Sequence, residues 1–456
     1  MNKLILSRVV CIVVFCAATT TFSLAQTFTT LVSFDGSNGS QPNVMSLIQG
    51  TDGHLYGTTP DTVFKITLGG TLTTVSNLTY GFYSTAGLVQ ANDTNFYGTT
   101  EEGGAHNAGT VFKLTPTGEL TTLYSFCAQP NCIDGYQPDA GLVQRTDGSL
   151  YGTTQIGGAN GYGTAFKITT SGKLTTVYSF CAQTNCADGS YPNTTLVEVS
   201  DGALYGTAAS TFFKITPDGK FATIYNFGGT QSFAGLVQAT DGSFYGTVVG
   251  GGPRNDGSVI RMTPSGILTT IYTFCTVFEG GKCLDGIQPY GTLIQASDGD
   301  LYGTTYLGGA SSYGTIFKIT LDGTLTTLYN FCAQTSCNDG DEPFGGLVQA
   351  TDGTFYGTTW GGGTYDLGTV FSLNVKLGPF VEARPTSGKA GASVTILGTN
   401  LKGATSVSFN GTAAPFIVVS ASEIATSVPA GATTGKIHVA TPRRTLSSNV
   451  PFRVTK

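Results

Sequence analysis

Short hydrophobic runs separated by turn residues fill almost the whole chain. The stretch 141–180 contains four of them, at 141–144, 149–154, 164–169 and 174–180, which we call strands a, b, c and d. They are rich in Val, Ile, Thr, Tyr and Phe, and Gly, Asp, Ser or Pro stands between them. Runs of this length and composition predict β-strands joined by turns rather than helices.

The four-strand unit recurs along the chain. The Tyr-Gly-Thr tripeptide of strand b occurs seven times and marks seven equivalent units; its copies start at Tyr56, Tyr97, Tyr151, Tyr205, Tyr245, Tyr302 and Tyr356. An Asp-Gly pair stands in most of the a–b turns, where Gly accepts a positive φ and Asp bonds its own backbone. Successive units start 40 to 57 residues apart. This period, with four strands in each unit, is typical of a β-propeller blade.

The two ends of the repeat array complement each other. A lone strand d occupies 28–34, and a strand c at 368–373 has no strand d after it. Pairing them completes a seventh sheet and removes the unpaired edges that an open array exposes. We therefore expect an all-β fold, a seven-bladed β-propeller closed by the N-terminal strand. The alternative, a solenoid, would need distinct capping units.

The composition changes after residue 375. Residues 379–456 contain about seven short alternating runs and no cysteine, which is typical of a small Ig-like β-sandwich. The predicted organisation is a signal peptide at 1–25, the propeller at 26–375 and the Ig-like domain at 376–456.

Both regions resemble known families. Residues 28–373 resemble the GloVer tandem repeats of the "choice-of-anchor" bacterial surface or secreted proteins. The motifs that carry this resemblance are Asp147-Gly148, Tyr151-Gly152-Thr153, Gly157-Gly158, 163–169 and 174–180. The C-terminal region resembles an IPT/TIG domain through Pro385-Thr386-Ser387-Gly388, Gly391, 394–401, 407–411 and Val428-Pro429. Neither resemblance supplies a catalytic residue.

The N-terminus predicts export. The basic residues Lys3 and Arg8 precede an apolar run over 9–18. A small-x-small sequence, Ser23-Leu24-Ala25, follows this run. This is the order of a cleavable signal peptide, and the apolar run is too short to span a bilayer. We expect cleavage after Ala25 and a secreted, extracellular or cell-surface protein without a transmembrane segment.

Composition and charge exclude several classes of partner. Charged residues make up only 11% of the chain, Gly contributes 64 of 456 residues, and the formal net charge is −6. A mildly acidic protein is a poor partner for nucleic acid and for anionic membranes. We expect a monomer that binds no nucleic acid and needs no cofactor.

The eight cysteines that follow the signal peptide all lie in the d–a loops. They form local pairs: Cys127 with Cys132, Cys181 with Cys186, Cys275 with Cys283, and Cys332 with Cys337. Evenly placed pairs in an exported protein predict disulfides. The alternative is zinc, which would require pairs from separate blades to converge into one four-ligand site.

Loop lengths predict one elaborated face. In an antiparallel four-stranded blade, the a–b and c–d connections leave one face and the b–c and d–a connections leave the other. Every a–b and c–d connection is a tight turn, whereas the long connections are all b–c or d–a. We call these the turn face and the loop face. Candidate ligand-binding residues of the loop face are Tyr162, Tyr306, Tyr313, Trp360, Tyr365 and His106, although packing between loops is the competing explanation.

Other motifs point to framework rather than chemistry. A base recurs in strand c, at Lys65, Lys113, Lys167, Lys214, Arg261 and Lys318. Such regular recurrence favours a structural role, with the stem packed between blades. The histidines His54, His106 and His438 belong to three different regions, so we predict no catalytic triad, no catalytic residue and no metal site.

The leading hypothesis is therefore a secreted, non-enzymatic binding protein. Its loop face would contact an extracellular glycan or protein. One alternative is a polysaccharide hydrolase or lyase that uses acids around the propeller channel, among them Glu101, Glu102 and Asp366. A second alternative is a structural component of a surface layer.

Overall fold

The computed structural model describes residues 26–42, 46–78, 86–199, 201–228, 233–252 and 254–455. The predicted signal peptide, 1–25, lies outside the described residues. In these residues nearly all regular structure is β, and the exceptions among them are three single-turn 3₁₀ helices at Pro130–Cys132, Thr184–Cys186 and Thr335–Cys337. The prediction of an all-β fold is therefore confirmed.

Seven four-stranded antiparallel sheets precede residue 375 in the described part of the chain. Sheet 1 comprises Ile48–Gln49, Leu55–Thr58, Thr62–Ile66 and Leu72–Asn77; sheet 2, Val89–Gln90, Phe96–Thr100, Thr110–Leu114 and Leu120–Ser125; sheet 3, Val143–Gln144, Leu150–Thr154, Thr164–Ile168 and Leu174–Ser179; sheet 4, Val197–Glu198, Leu204–Ala208, Thr211–Ile215 and Phe221–Asn226; sheet 5, Phe233–Gln238, Phe244–Val248, Ser258–Met262 and Leu268–Thr273; sheet 6, Ile294–Gln295, Leu301–Thr305, Thr315–Ile319 and Leu325–Asn330; sheet 7, Val348–Gln349, Phe355–Thr359, Thr369–Asn374 and Thr27–Ser33. A two-stranded hairpin, Phe278–Glu279 with Lys282–Cys283, lies in the loop between sheets 5 and 6.

Sheet 7 combines the two ends of the array. Its outer strand is the N-terminal segment Thr27–Ser33, which pairs antiparallel with Thr369–Asn374. Sheet 7 also packs on sheet 1, since Tyr356 and Val370 share a buried cluster with Phe64. The N-terminal strand is thus held by the last repeat, at the contact between the last sheet and the first.

The glycine of Tyr-Gly-Thr is required by packing within each sheet. A Cβ at Gly152 would lie 2.8 Å from both Phe166 Cζ and Leu142 Cδ2. The Phe ring of strand c therefore occupies the volume that any other residue would need. Six of the seven described sheets repeat this contact, which explains the recurrence of the tripeptide. In sheet 5 strand c has Ile260 at this position, and a Cβ at Gly246 would instead lie 2.7 Å from Gly235 O and 2.8 Å from Leu236 Cδ2.

In four of the described sheets, the recurring base of strand c forms an ion pair with the aspartate of the a–b turn. Lys167 Nζ lies 2.8 Å from Asp147 Oδ2, which also accepts the hydroxyl of Tyr151 at 3.2 Å. Equivalent ion pairs join Lys214 to Asp201, Arg261 to Asp241, and Lys318 to Asp298. These bases belong to the framework of the turn face.

Glutamines of strand a link neighbouring sheets. Gln90 Oε1 accepts the N–H of Thr51 in sheet 1 at 2.9 Å, and its Nε2 donates to Thr94 O in its own turn at 3.0 Å. The same double link is made by Gln49, Gln144, Gln295 and Gln349. In sheet 4 the position is Glu198, which pairs with Arg145 of sheet 3.

Each cysteine-containing loop is closed by a buried aspartate. Disulfides join Cys127 to Cys132, Cys181 to Cys186, Cys275 to Cys283, and Cys332 to Cys337. Inside one of these loops, Asp188 accepts the hydroxyl of Tyr178 at 2.6 Å and the N–H groups of Ala182 and Gln183. The carboxylate is satisfied by its own loop, so we assign it a structural role.

The C-terminal region is a small β-sandwich. One sheet contains Glu382–Arg384, Ser393–Leu397, Glu423–Ser427 and Phe416–Val418, and the other contains Thr412–Ala414, Ser406–Phe409, Ile437–Ala440 and Thr445–Ser447. Ser387–Lys389 pairs in parallel with Arg453–Thr455. A single buried cluster joins both sheets, for example Ile396 of the first and Val407 of the second.

This sandwich rests on the turn face of the repeat region. Ser422 Oγ donates to Thr51 O at 2.9 Å, and a hydrogen bond of 2.9 Å joins the hydroxyls of Thr351 and Thr399. A cavity of about 620 Å³ lies between strands a of several sheets and residues 382–387 of the sandwich. The turn face is therefore occupied by the chain itself, and the loop face is left for other contacts.

Candidate functional site

Glu342 organises a group of aromatic residues on the loop face. Its Oε2 accepts the hydroxyl of Tyr306 at 2.7 Å, its N–H donates to Tyr313 O at 2.9 Å, and its carbonyl accepts the N–H of Trp360 at 3.1 Å. Burial and the Glu342 carboxylate raise the pKa of Tyr306 to about 12. Tyr365 follows in the Trp360 loop and is 61% exposed. Three predicted aromatics are thus brought together by one residue.

Two further aromatics of this group were missed by the sequence analysis. Tyr290 stacks on Phe344 with ring centroids 4.5 Å apart, and Tyr306 meets both rings edge-on at 5.6 and 4.9 Å. Tyr290 and Phe344 each follow a proline in a d–a loop, Pro289 and Pro343. The variable residue after this proline was the available signal. We call Tyr290, Tyr306, Tyr313, Glu342, Phe344, Trp360 and Tyr365 the aromatic site.

Glu342 adopts a left-handed backbone conformation directly before Pro343. Its φ is 54°, a region that a residue with a side chain seldom occupies. Four other described residues that precede a proline of a d–a loop also have a positive φ, namely Gln41, Gln137, Tyr191 and Gln288. Each donates its N–H to the b–c loop of the preceding sheet. The strain is therefore compensated by a backbone hydrogen bond between neighbouring sheets.

Carboxylates lie beside the aromatic site. Burial, together with the charges of Glu342, Asp366 and Asp339, raises the pKa of Asp341 to about 6. Asp366 Oδ1 accepts the N–H of Gly362 at 3.0 Å in the Trp360 loop. The site thus combines flat exposed rings with acceptors for hydroxyl groups.

A second acidic group lies at the junction of sheets 2 and 3. Burial and the charge of Glu101 raise the pKa of Asp139 to about 7. Burial and the neighbouring Glu102 raise the pKa of Glu101 in turn. Asp139 also lines the cavity of about 620 Å³ between strands a and the sandwich. The sequence analysis grouped Glu101 and Glu102 with Asp366. In the structure the acid that interacts with Glu101 is Asp139.

The remaining predicted residues lie at other junctions. Tyr162 meets Tyr191 edge-on at 5.4 Å between sheets 3 and 4, and both rings are part-exposed. His106 is exposed in the long loop of sheet 2. Tyr162 and His106 are therefore loop-face residues outside the aromatic site.

One group of described residues has the spacing of metal ligands. Asp256, Cys275 and Cys283 bring their ligand atoms within 4.8 Å of one another. Because Cys275 and Cys283 form a disulfide, their sulfur atoms cannot act as thiolate ligands. This group is a poor fit for a metal ion.

Comparison with family models identifies the repeats. The model of the Gloeobacter/Verrucomicrobia repeat matches residues 60–233 and 208–412, and the model of the IPT/TIG domain matches 381–454. The chain belongs to the Gloeobacter/Verrucomicrobia repeat family. Both resemblances drawn from the sequence are thereby confirmed. No curated protein matches the chain in sequence.

Solved structures share the fold of this Gloeobacter/Verrucomicrobia repeat protein at low identity. A catalytically inactive histidine-to-alanine variant of virginiamycin B lyase from Staphylococcus aureus, with quinupristin, is 17% identical with a TM-score of 0.55, over 76% of this chain and 99% of that one. The extracellular domain of a putative hybrid two-component system from B. thetaiotaomicron is 13% identical with a TM-score of 0.51, over 91% and 54%. A fungal alcohol oxidase in complex with copper is 11% identical with a TM-score of 0.51, over 91% and 98%. These similarities concern the fold alone.

The described part of this repeat protein contains no helix long and apolar enough to cross a membrane.

Proposed function

We propose that this chain is an exported, non-enzymatic binding protein that takes an extracellular glycan at the aromatic site. The observation that carries the proposal is the fixing of Tyr306, Tyr313 and Trp360 around Glu342. Trp360 is 37% exposed and Tyr313 is 42% exposed, so their rings remain accessible. Rigid aromatic faces stack on the apolar faces of sugar rings, and neighbouring carboxylates accept sugar hydroxyls.

The architecture supports binding from one side. We infer that the seven sheets are the blades of a single ring, closed by the N-terminal strand in sheet 7. The contacts between sheets 7 and 1 support closure, since Thr351 donates its N–H to Gln49 Oε1 at 2.9 Å. The C-terminal sandwich occupies the turn face, so a ligand approaches the loop face.

Export is supported by several independent features. The segment 1–25 has the order of a cleavable signal peptide, and the described loops contain four disulfides. One structure with a similar fold is the extracellular domain of a two-component system. We infer cleavage after Ala25 and an extracellular or cell-surface location.

A second candidate function is cleavage of a polysaccharide, as a hydrolase or as a lyase. It is favoured by one observation, the raised pKa values of Asp139 and Glu101 at a single junction of the loop face. A carboxyl group that keeps its proton near neutral pH can act as a general acid. The junction lies in a different part of the repeat array from the aromatic site, so the two candidates can be tested separately.

A fluorescence titration tests the main proposal. Trp360 is the single tryptophan of the chain, and it lies in the aromatic site, so its emission reports on this surface alone. We expect a panel of oligosaccharides to contain members that shift or quench the emission saturably, without release of shorter products. Saturable binding of a protein ligand in place of any oligosaccharide would replace the glycan assignment. Release of products that is abolished by Asp139→Asn would favour the enzyme.

A further inference from the structure

A second cavity lies at the junction of the sandwich with sheet 7. Its volume is about 450 Å³, and three cations line it, Lys402, Arg443 and Arg444. All three side chains are exposed. Thr399 and Asn400 add a hydroxyl and an amide to the same wall. We call this space the junction cavity.

Local structure brings the three cations together. Arg443 and Arg444 belong to a tight turn in which Thr441 Oγ1 accepts the N–H of Arg444 at 3.2 Å and donates to its carbonyl at 2.8 Å. Lys402 belongs to the loop after Ser393–Leu397, which lies against the same turn at Gly403 and Pro442. The positive charges are therefore concentrated by two adjoining loops of the sandwich.

The cations exceed the negative charge that faces them. Asp352 is the carboxylate among the described lining residues, and it already accepts the hydroxyl of Tyr356 at 3.2 Å and the N–H of Thr354 at 2.9 Å. Ion pairs within 4 Å in the described part of the chain include none of the three cations. The junction cavity keeps an excess of positive charge on a protein whose net charge is −6.

We propose that the junction cavity binds a phosphate or sulfate group carried by an anionic polymer. Guanidinium groups bind such oxyanions through paired hydrogen bonds, and an ammonium group adds charge. A polymer is favoured over a small ion because the cations are exposed and span a cavity open to solvent, where a single small anion is weakly held. This site is separate from the aromatic site, and its occupation would hold an exported protein near an anionic surface.

Polyphosphate labelled with fluorescein tests this assignment by fluorescence anisotropy. We expect saturable binding that weakens as salt is raised, and a loss of at least about tenfold in affinity in Lys402→Gln/Arg443→Gln/Arg444→Gln. The matched control is Lys173→Gln/Lys220→Gln/Lys389→Gln, which removes the same charge from exposed positions elsewhere and should leave affinity within about twofold. An equal loss in both triple variants, or no binding by the wild type, would overturn the proposal.

Two further measurements keep the result interpretable. Arg443→Lys/Arg444→Lys retains the charge but not the paired hydrogen bonds, and it should lose affinity while its melting temperature stays at the wild-type value. Competition by inorganic phosphate at low concentration would identify the source as a free anion and overturn the polymer assignment. Competition by unlabelled polyphosphate alone supports it.

Discussion

Arg145 Nε lies 3.5 Å from Glu198 Oε1, joining sheets 3 and 4 where other junctions use a neutral glutamine. Burial raises the pKa of Glu198, and the charge of Arg145 opposes this rise. Removing Arg145 leaves a largely buried carboxylate without its cation. We expect Arg145→Ala to lower the free energy of unfolding by about 1–3 kcal/mol in urea titrations.

The other junctions provide the matched control for this pair. Ala91 with Gln144 occupies the equivalent positions of sheets 2 and 3. Arg145→Ala/Glu198→Gln should therefore recover most of the lost stability, because it recreates a combination that the fold already uses. If the double variant is as unstable as the sum of the two single variants, Arg145 and Glu198 are not coupled.

Trp360 is expected to contribute to ligand binding beyond its contribution to stability. Trp360→Ala should weaken oligosaccharide binding by about tenfold, since it removes a rigid stacking face. The melting temperature of Trp360→Ala should fall about as far as that of Tyr191→Ala, because the two side chains are similarly exposed, at 37% and 43%. Isothermal titration calorimetry measures the affinity of the variant, which no longer has a tryptophan. Tyr191→Ala removes an exposed ring from another junction of the same face, and equal losses in both variants would argue against a localised site.

The disulfide next to Glu342 is expected to support binding as well as stability. Cys332→Ser/Cys337→Ser should lower the free energy of unfolding by about 2 kcal/mol in the chain-entropy model. It should also weaken oligosaccharide binding, because the same loop carries Glu342. Cys181→Ser/Cys186→Ser removes an equivalent disulfide between sheets 3 and 4 and should reduce stability alone. Equal affinities in the two double variants would show that the loop carrying Glu342 does not contribute to ligand binding.

Asp139 is expected to make stability fall as pH rises. Its pKa in the folded protein, about 7, is above the ordinary value of 3.8, so the folded chain binds more protons than the unfolded chain between these pH values. The free energy of unfolding therefore decreases from about pH 4 to pH 7, and the contribution of Asp139 at low pH is lost above its folded pKa.

Urea titrations at pH 4 and pH 8 measure this dependence. The wild type should lose about 4 kcal/mol more than Asp139→Asn over this interval, because Asn does not ionise. Glu119→Gln removes an exposed acid of the turn face and should follow the wild type. A pH dependence unchanged by Asp139→Asn would place the titrating group elsewhere.

Much of the fold could be predicted from local sequence because nearly every repeat has the same packing constraints. Gly152 is needed where Phe166 lies close, and a turn of Asp and Gly is needed before Tyr151. Such constraints act within a few residues or between adjacent strands. The amino-acid sequence was therefore sufficient to predict the order of the strands and the positions of the turns. It was also sufficient to recognise the two family resemblances.

The candidate site could be predicted only in part, because its members come from different repeats. The aromatic character of Trp360 and Tyr306 was visible, but the contribution of Glu342 depends on the contact between sheets 6 and 7. Tyr290 and Phe344 join the site because neighbouring d–a loops place the residues after their prolines side by side. Sequence position alone could not show this.

The sequence by itself determined the sheets, their turns, the cysteine pairs and the difference between a turn face and a loop face. Only the tertiary structure decided that the sandwich rests on the turn face, that Glu342 gathers the aromatic site, and that Asp139 meets Glu101. The physical reason is the separation along the chain of the residues that interact. Strand and turn formation depends on neighbours in the chain, whereas these contacts join residues from separate sheets, whose approach is fixed by the packing of the whole repeat array.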